Sequence, residues 1–242
     1  MKKVFALFLI LYTTLFSNEA TDIIKKLDQN LRGENIYIKL TMTITSLGHQ
    51  RTMKMENWAQ GNKKSFVKTL YPPKDKGITF LSLNNQMWQY VPKIERIIKI
   101  PASMMLQKWM GSDLTNDDLV KQSSLVDDYD AKILKKDKNI TTIELIPKED
   151  AAVVWNKIVS QIDISTYTSK KDVFFDEDNK KVRVFTYKKV KKVGDYYIST
   201  YWKIQPYDKK NSYTEIFIDE VKYDIDISDQ YFKKSALKRF SR

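Results

Sequence analysis

The chain has 242 residues, with 42 Lys plus Arg against 30 Asp plus Glu and a formal net charge of +12. A hydrophobic share of 42%, with 14 Tyr, 11 Phe and 5 Trp, supplies a sizeable core and excludes a disordered chain, and 6 Gly with 6 Pro exclude long flexible linkers. Cysteine is absent and His49 is the one histidine, which excludes a disulfide framework, thiolate metal sites, thiol catalysis, a lipid-modified N-terminal cysteine and a multi-histidine metal site within one chain.

Lys2 and Lys3 precede Val4 to Phe16, an uncharged apolar run of 13 residues that is short for a bilayer span and is followed by Ser17, Asn18, Glu19 and Ala20. This is the layout of an export signal. The expectation is a signal peptide over residues 1–20, cleaved after Ser17 or Ala20, with a retained N-terminal anchor as the alternative. No later segment is apolar enough to span a membrane, so the mature chain reads as soluble and exported.

Thr21 or Asp22 is placed to cap a helix that runs to about Arg32, with Ile23, Ile24, Leu27 and Leu31 on one face and Gly33 to end it. Ile36, Ile38, Leu40, Met42 and Ile44 then alternate with polar residues and Tyr37, a strict period of two that predicts a strand with one apolar face. A second strand over about 51–60 puts Met53 and Met55 on one face and Trp58 on the other. Residues 65–70, 78–83, 86–91 and 94–100 continue the meander, with a loop at 71–77 and a tight hairpin at Asn84-Asn85.

From Pro101 to Gln122 the alternation stops. Met104, Met105, Leu106, Trp109 and Met110 cluster at helical spacing before Gly111, and Ser112 or Asp113 can cap a second short turn through Asp117, Asp118 and Leu119. This predicts a helical insertion between strands. Strand patterns return at 131–134, 141–146, 159–164, 173–175, 182–190, 195–204 and 212–223, with turns at 176–181 and 191–194. Residues 151–157 read as a helical turn or part of a strand, and 229–240 as a short closing helix. The sum is about ten or eleven strands in an antiparallel sheet curled into a barrel or half-barrel, as one domain over 21–242.

No residue pattern carries enzyme chemistry. There is no phosphate-binding glycine loop, and His49 lies in what reads as a polar hairpin turn. The run Asp176-Glu177-Asp178-Asn179 opens like a calcium loop but has Lys181 where that loop needs glycine, so it reads as a solvated turn. Asp127, Asp128 and Asp130 read as an exposed strand entrance rather than a hydrolytic acid pair. Lysine clusters at 135–138 and 188–192 favour contact with an anionic membrane or acidic partner over nucleic acid, which an exported chain does not meet. The apolar faces leave two readings open: a methionine-rich cavity for an irregular apolar ligand, or a core packed by the helices.

Three stretches carry a resemblance: Pro73-Lys74-Asp75-Lys76-Gly77-Ile78-Thr79-Phe80-Leu81, then Trp88-Gln89-Tyr90-Val91-Pro92 through Arg96, then Met110-Gly111-Ser112-Asp113-Leu114-Thr115-Asn116-Asp117-Asp118-Leu119. They resemble the LolA-like family of outer-membrane lipoprotein-sorting proteins, in the branch associated with RND-type lipid exporters, and Asp226 to Arg239 resembles that family's end. Leu114, Asn116 and Asp117 depart from the family's usual Phe, Tyr and Glu. The resemblance implies a mainly β (α+β) fold, an incomplete antiparallel β-barrel with an N-terminal helix and a mid-chain helical lid. It implies a periplasmic carrier of lipoprotein or lipid acyl chains, loaded by an inner-membrane exporter of RND or ABC type and unloaded to an outer-membrane acceptor, with no cofactor and no catalytic residue. On this reading Ile38, Leu40, Met42, Met53 and Met55 line the concave face. Met87, Trp88, Tyr90, Met104, Met105, Trp109 and Met110 form rim and lid, and Gly111, Ser112, Asp113 and Asp118 set the lid's geometry. The alternative function is a periplasmic adaptor for the transporter that carries no lipid.

Overall fold

The computed structural model describes residues 11–120, 125–151 and 153–242, with side chains from residue 19 onward. The basic start and most of the apolar run of the expected export signal lie outside the described residues, as do Lys121, Gln122 and Ala152.

Thirteen strands form one antiparallel sheet: β1 Asn35–Ser46, β2 His49–Gln60, β3 Lys64–Tyr71, β4 Thr79–Leu83, β5 Gln86–Val91, β6 Arg96–Ile100, β7 Tyr129–Lys136, β8 Ile140–Pro147, β9 Lys157–Asp163, β10 Thr168–Phe175, β11 Lys181–Val193, β12 Tyr196–Pro206 and β13 Tyr213–Tyr223. Their order across the sheet is β6-β5-β4-β3-β2-β1-β13-β12-β11-β10-β9-β8-β7. The first and last strands pair in the middle, from Ile36 with Tyr223 to Thr45 with Tyr213. β6 and β7 are the two edges, so the sheet is open and not closed into a barrel. Each span read from alternation contains a strand, and the expected sum of ten or eleven is corrected to thirteen.

The turns follow local chemistry. Leu47 and Gly48 have φ of 50° and 83°, and Asn84 and Asn85 have φ of 48° and 63°. Positive φ at both central residues is what a two-residue hairpin of right-twisted strands needs. The turn expected at 191–194 is instead Gly194-Asp195, because β11 runs on to Val193.

Helix α1, Leu11–Arg32, passes straight through Thr21 and Asp22, so neither caps it. Its apolar face is as read: Ile23, Ile24 and Leu27 are buried against Tyr129 of β7, Leu145 of β8 and Ile158 and Ile162 of β9. Gly33 ends it with φ of 56°, its N–H donating to the Gln29 carbonyl at 2.8 Å. Among the described residues no helix is long and apolar enough to cross a membrane.

Both faces of the β3–β5 region are covered. Phe66, Leu81, Trp88 and Tyr90 pack on one side against Phe232 and against Ala236 and Leu237 of the C-terminal helix Lys234–Arg239. Val67, Phe80 and Met87 lie on the other side, in a core that also holds Ile100 of β6, Met42 of β1, Ile216 of β13 and Phe185 of β11. From β6 to β11 there are eight strand intervals, which laid flat at ~4.8 Å each would span about 38 Å. One core gathers side chains from both ends of that run, so the sheet is bent around it.

The Lys76-Gly77-Ile78-Thr79 stretch fastens the chain's end. The Thr79 hydroxyl donates to the Leu237 carbonyl at 2.7 Å. At Gly77, φ is 82° and an added Cβ would stand 2.4 Å from the Ser241 carbonyl oxygen. Gly77→Ala is therefore expected to lose about 1–3 kcal/mol of stability by displacing the C-terminal segment. Urea unfolding followed by circular dichroism checks this, and an unchanged midpoint would contradict it.

Candidate functional site

The inner face of the bent sheet is not filled. A cavity of about 290 Å³ opens between α1, the sheet and the segment that joins β6 to β7, at the low end of the roughly 300–1,000 Å³ of ligand pockets. Ile36, Ile38, Leu40 and Met42 of β1 form one wall, continued by Met55 of β2 and by Ile216 and Ile218 of β13. Leu27 and Leu31 of α1 approach from the helix side. Period-two alternation puts each strand's aliphatic set on this one face.

The opposite wall is aromatic. Trp155, Phe174, Phe185, Tyr187 and Trp202 form a row with successive ring centroids 5.4, 4.9, 6.2 and 5.7 Å apart, and all five line the cavity. The guanidinium of Arg183, two residues before Phe185 on β11, lies 4.3, 4.5 and 4.8 Å from the ring centres of Trp155, Phe174 and Phe185.

The segment between β6 and β7 is not the regular helix that its spacing suggested. It is two one-turn 3₁₀ pieces, Ala102–Met104 and Trp109–Gly111, followed by the short helices α2 Asn116–Val120 and α3 Leu125–Asp128. Met110 with φ of 51° and Gly111 with φ of 75° turn the backbone out of any helical path. The Ser112 hydroxyl donates to the Trp109 carbonyl at 2.7 Å and accepts the Leu114 N–H at 3.2 Å, which holds the turn. Thr115 and Asp118 cap α2 reciprocally: the Asp118 carboxylate accepts the Thr115 N–H at 2.7 Å, and the Thr115 hydroxyl accepts the Asp118 N–H at 3.2 Å.

Three polar contacts fasten this segment over the inner face. Arg183 donates two hydrogen bonds to the Asp118 carboxylate, at 2.6 and 2.5 Å. The Thr214 hydroxyl of β13 donates to Asp113 Oδ2 at 2.9 Å and accepts the Asp113 N–H at 2.9 Å. Arg51 of β2 donates to the Met110 carbonyl at 3.2 Å and to Asp75 at 2.6 Å. The Arg183 pair is the strongest of these, being bidentate and nearly sealed from water.

Of the residues expected to line a cavity, Ile38, Leu40, Met42, Met55 and Trp109 do, and Asp118 reaches it as well. The others do not. Met53 and Met87 are fully packed in the core between sheet and segment, and Met104, Met105 and Met110 pack against that core without reaching the cavity. Trp88 and Tyr90 are on the opposite face, under the C-terminal helix. Adjacent strand residues must point to opposite faces, so Met87 and Trp88 cannot share a rim. Gly111, Ser112 and Asp113 form the turn and its anchor.

Sequence reasoning missed the aromatic wall and the polar group within it. Asp172 of β10 is buried in the cavity wall, accepting hydrogen bonds from Ser160 and, at 2.7 Å, from the Tyr187 hydroxyl. Burial pushes the Asp172 carboxyl up against the opposing effect of its Ser160, Tyr187 and Ser169 bonds. Burial and the adjacent Asp172 push the Tyr187 phenol well above its ordinary range. Burial lowers Arg32, at the end of α1 in the same lining, with Asp28 and Asp127 opposing.

The fold and this lining define an open antiparallel sheet bent around a cavity. A family model describing an uncharacterized protein matches residues 61–239, most of the chain. The chain is similar to a DUF1329 family protein from Desulfovibrio piger ATCC 29098, with 21% identity over 92% of this chain and 99% of that one and a TM-score of 0.84. It is similar to a domain named for outer membrane lipoprotein sorting from Vibrio parahaemolyticus, with 19% identity, 92% and 100% coverage and a TM-score of 0.80. A LolA superfamily protein from Nitrosomonas europaea follows, with 17% identity, 90% and 98% coverage and a TM-score of 0.75. No curated protein matches. The chain belongs to the matched family, and its fold is LolA-like.

The raised Asp172 carboxyl makes a signed prediction. Its neutral form is favoured by folding, so its contribution to stability is full below the ordinary aspartate value of 3.8 and declines as pH rises toward the folded value. Asp172→Asn removes that decline. Its stability relative to the native chain should rise as pH climbs above the ordinary aspartate value of 3.8 in urea titrations, and a pH-independent difference would contradict this.

Proposed function

We propose that the chain is a periplasmic carrier that holds the acyl chains of lipoproteins or lipids in this cavity and moves them toward the outer membrane. The observation that carries the reading is the unfilled apolar space of about 290 Å³ beneath a segment fastened by a few polar contacts. Each methylene moved from water into such a site is worth roughly 0.8 kcal/mol, so a long chain does not cross water unaided at a useful rate. A carrier must supply comparable apolar surface and still release it. The 101–120 segment serves as the lid: the Arg183–Asp118 and Asp113–Thr214 contacts hold it shut, and their exchange for water opens it. The reaction is non-covalent, so no residue has a catalytic role. An inner-membrane exporter of RND or ABC type loads the carrier, and an outer-membrane acceptor with higher affinity unloads it. The basic surface gives transient contact with anionic membranes.

In this reading the export signal ends at Ser17. Glu19 pairs with Lys136 at 2.6 Å and Ala20 is completely buried against the sheet. Cleavage after Ala20 would discard both contacts, whereas cleavage after Ser17 keeps them. The mass of the exported chain should place its first residue at Asn18; a first residue at Thr21, or an uncleaved chain, would contradict this.

The lid can be tested by crosslinking, because the chain has no cysteine of its own. Asp113→Cys combined with Thr214→Cys should form a disulfide that abolishes uptake of a fluorescent fatty acid, with uptake restored by dithiothreitol. Equal uptake by oxidised and reduced protein would show that the segment does not gate the cavity. Leu40→Asp places a charge in the cavity wall and should lower uptake by more than tenfold with an unchanged circular dichroism spectrum, each buried unpaired charge costing several kcal/mol. Unchanged uptake would contradict binding in this cavity.

A further inference from the structure

A cavity meant only for hydrocarbon has no use for a carboxyl group, yet Asp172 is in its wall. The carboxyl is held by Ser160 and by the Tyr187 hydroxyl at 2.7 Å, and Tyr187 packs on Trp202 at 5.7 Å. The indole N–H of Trp202 donates to the Ser199 carbonyl at 2.7 Å. Ser199 itself lines the cavity with 6% exposure, and its hydroxyl, though buried, has no hydrogen-bond partner. The Trp109 indole nitrogen is in the same condition: it lines the cavity, is buried and has no acceptor. Buried polar groups are nearly always paired, and leaving a buried hydroxyl without a partner is costly. The lining thus holds a carboxyl acceptor and unanswered donors on Ser199, Trp109 and, at the α1 end, Arg32.

We infer that the cavity takes an uncharged long-chain amphiphile whose hydroxyl group enters it and bonds at Asp172 and Tyr187 of the inner wall, with Ser199 as a further donor. This rests on the carrier reading and specifies its ligand class. The charges around the site select against the alternatives. A carboxylate or phosphate would have to shed its water beside the buried Asp172 carboxyl, and the Arg32 guanidinium in the same lining already has Asp28 and Asp127 acting on it. An ammonium would likewise have to be stripped of water, in a cavity that already holds the buried Arg32 guanidinium and has Arg183 behind its aromatic wall. A hydroxyl carries no charge, donates to Asp172, and accepts from Ser199.

The test uses the purified exported protein loaded with the fluorescent reporter N-phenyl-1-naphthylamine, displaced in turn by dodecane, dodecan-1-ol, dodecanoic acid and dodecylamine. Dodecan-1-ol should displace it at about tenfold lower concentration than dodecane, the worth of one well-made hydrogen bond. The double variant Asp172→Leu with Tyr187→Phe should bring the two within about twofold, and Ser199→Ala, a minimal change that does not disturb packing, should lower the preference severalfold. Equal displacement by alcohol and alkane, tightest binding by the acid or the amine, or an alcohol preference that survives in both variants would overturn this inference while leaving the carrier reading intact. Failure of all four compounds to bind would overturn the carrier reading itself.

Discussion

A thirteen-stranded antiparallel sheet has more apolar inner face than one long helix and a few single turns can cover. That mismatch of area governs the rest of the molecule. The sheet bends until side chains from β6 through β11 share a core with the 101–120 segment, and α1 seals the β7–β10 end. Between these two packed regions the inner face of the sheet is left partly unfilled, and that space is the cavity. A closed barrel would have filled its own interior with side chains, as small barrels do. An open one needs separate pieces to cover it, and those pieces can be displaced.

The cover shares the apolar core through Trp109, Leu114 and Val120, and polar contacts fix its position. A buried ion pair such as Arg183–Asp118 adds little net stability over a well-packed apolar pair, but breaking it by removing one partner is costly, because the other is left charged and dry. Stacking the guanidinium against three aromatic rings fixes its position and aims it at the start of α2. Such a contact is specific in geometry and small in net energy, as the proposed lid requires. The Met-Gly-Ser-Asp turn has a matching role: Gly111 reverses the chain, Ser112 locks the reversal, and Asp113 anchors it to Thr214.

The strands were legible because alternation is strict where one face is buried, as in Ile36 to Ile44, and because Asn84-Asn85 and Gly48 mark turns that tolerate positive φ. The 101–122 stretch was legible only as an interruption. Its methionines recur at helical spacing, yet Met110 takes a left-handed conformation that no periodicity reveals. The cavity was half legible. Its β1 and β2 wall is aliphatic and announces itself. Its β9–β12 wall mixes Ser160, Asp172 and Ser199 with aromatics on the inward side, so polar residues that read as solvent-facing are in fact interior. Met53 and Met87 show the converse: apolar and inward, but fully packed, a distinction set by neighbours distant in sequence. Asp113 could be read as a cap and Asp118 as part of the turn after it, whereas their partners Thr214 and Arg183, far along the chain, could not be read at all.

The central claim is that this interior is occupied by lipid when the protein is made in a cell. The direct measurement is native mass spectrometry of the chain expressed with its own N-terminal segment and purified from the exported fraction without detergent. The account predicts folded protein carrying an added mass that leaves on collisional activation and matches a lipid extracted from the same sample. A spectrum showing only the bare folded chain, from cells rich in membrane lipid, would contradict it.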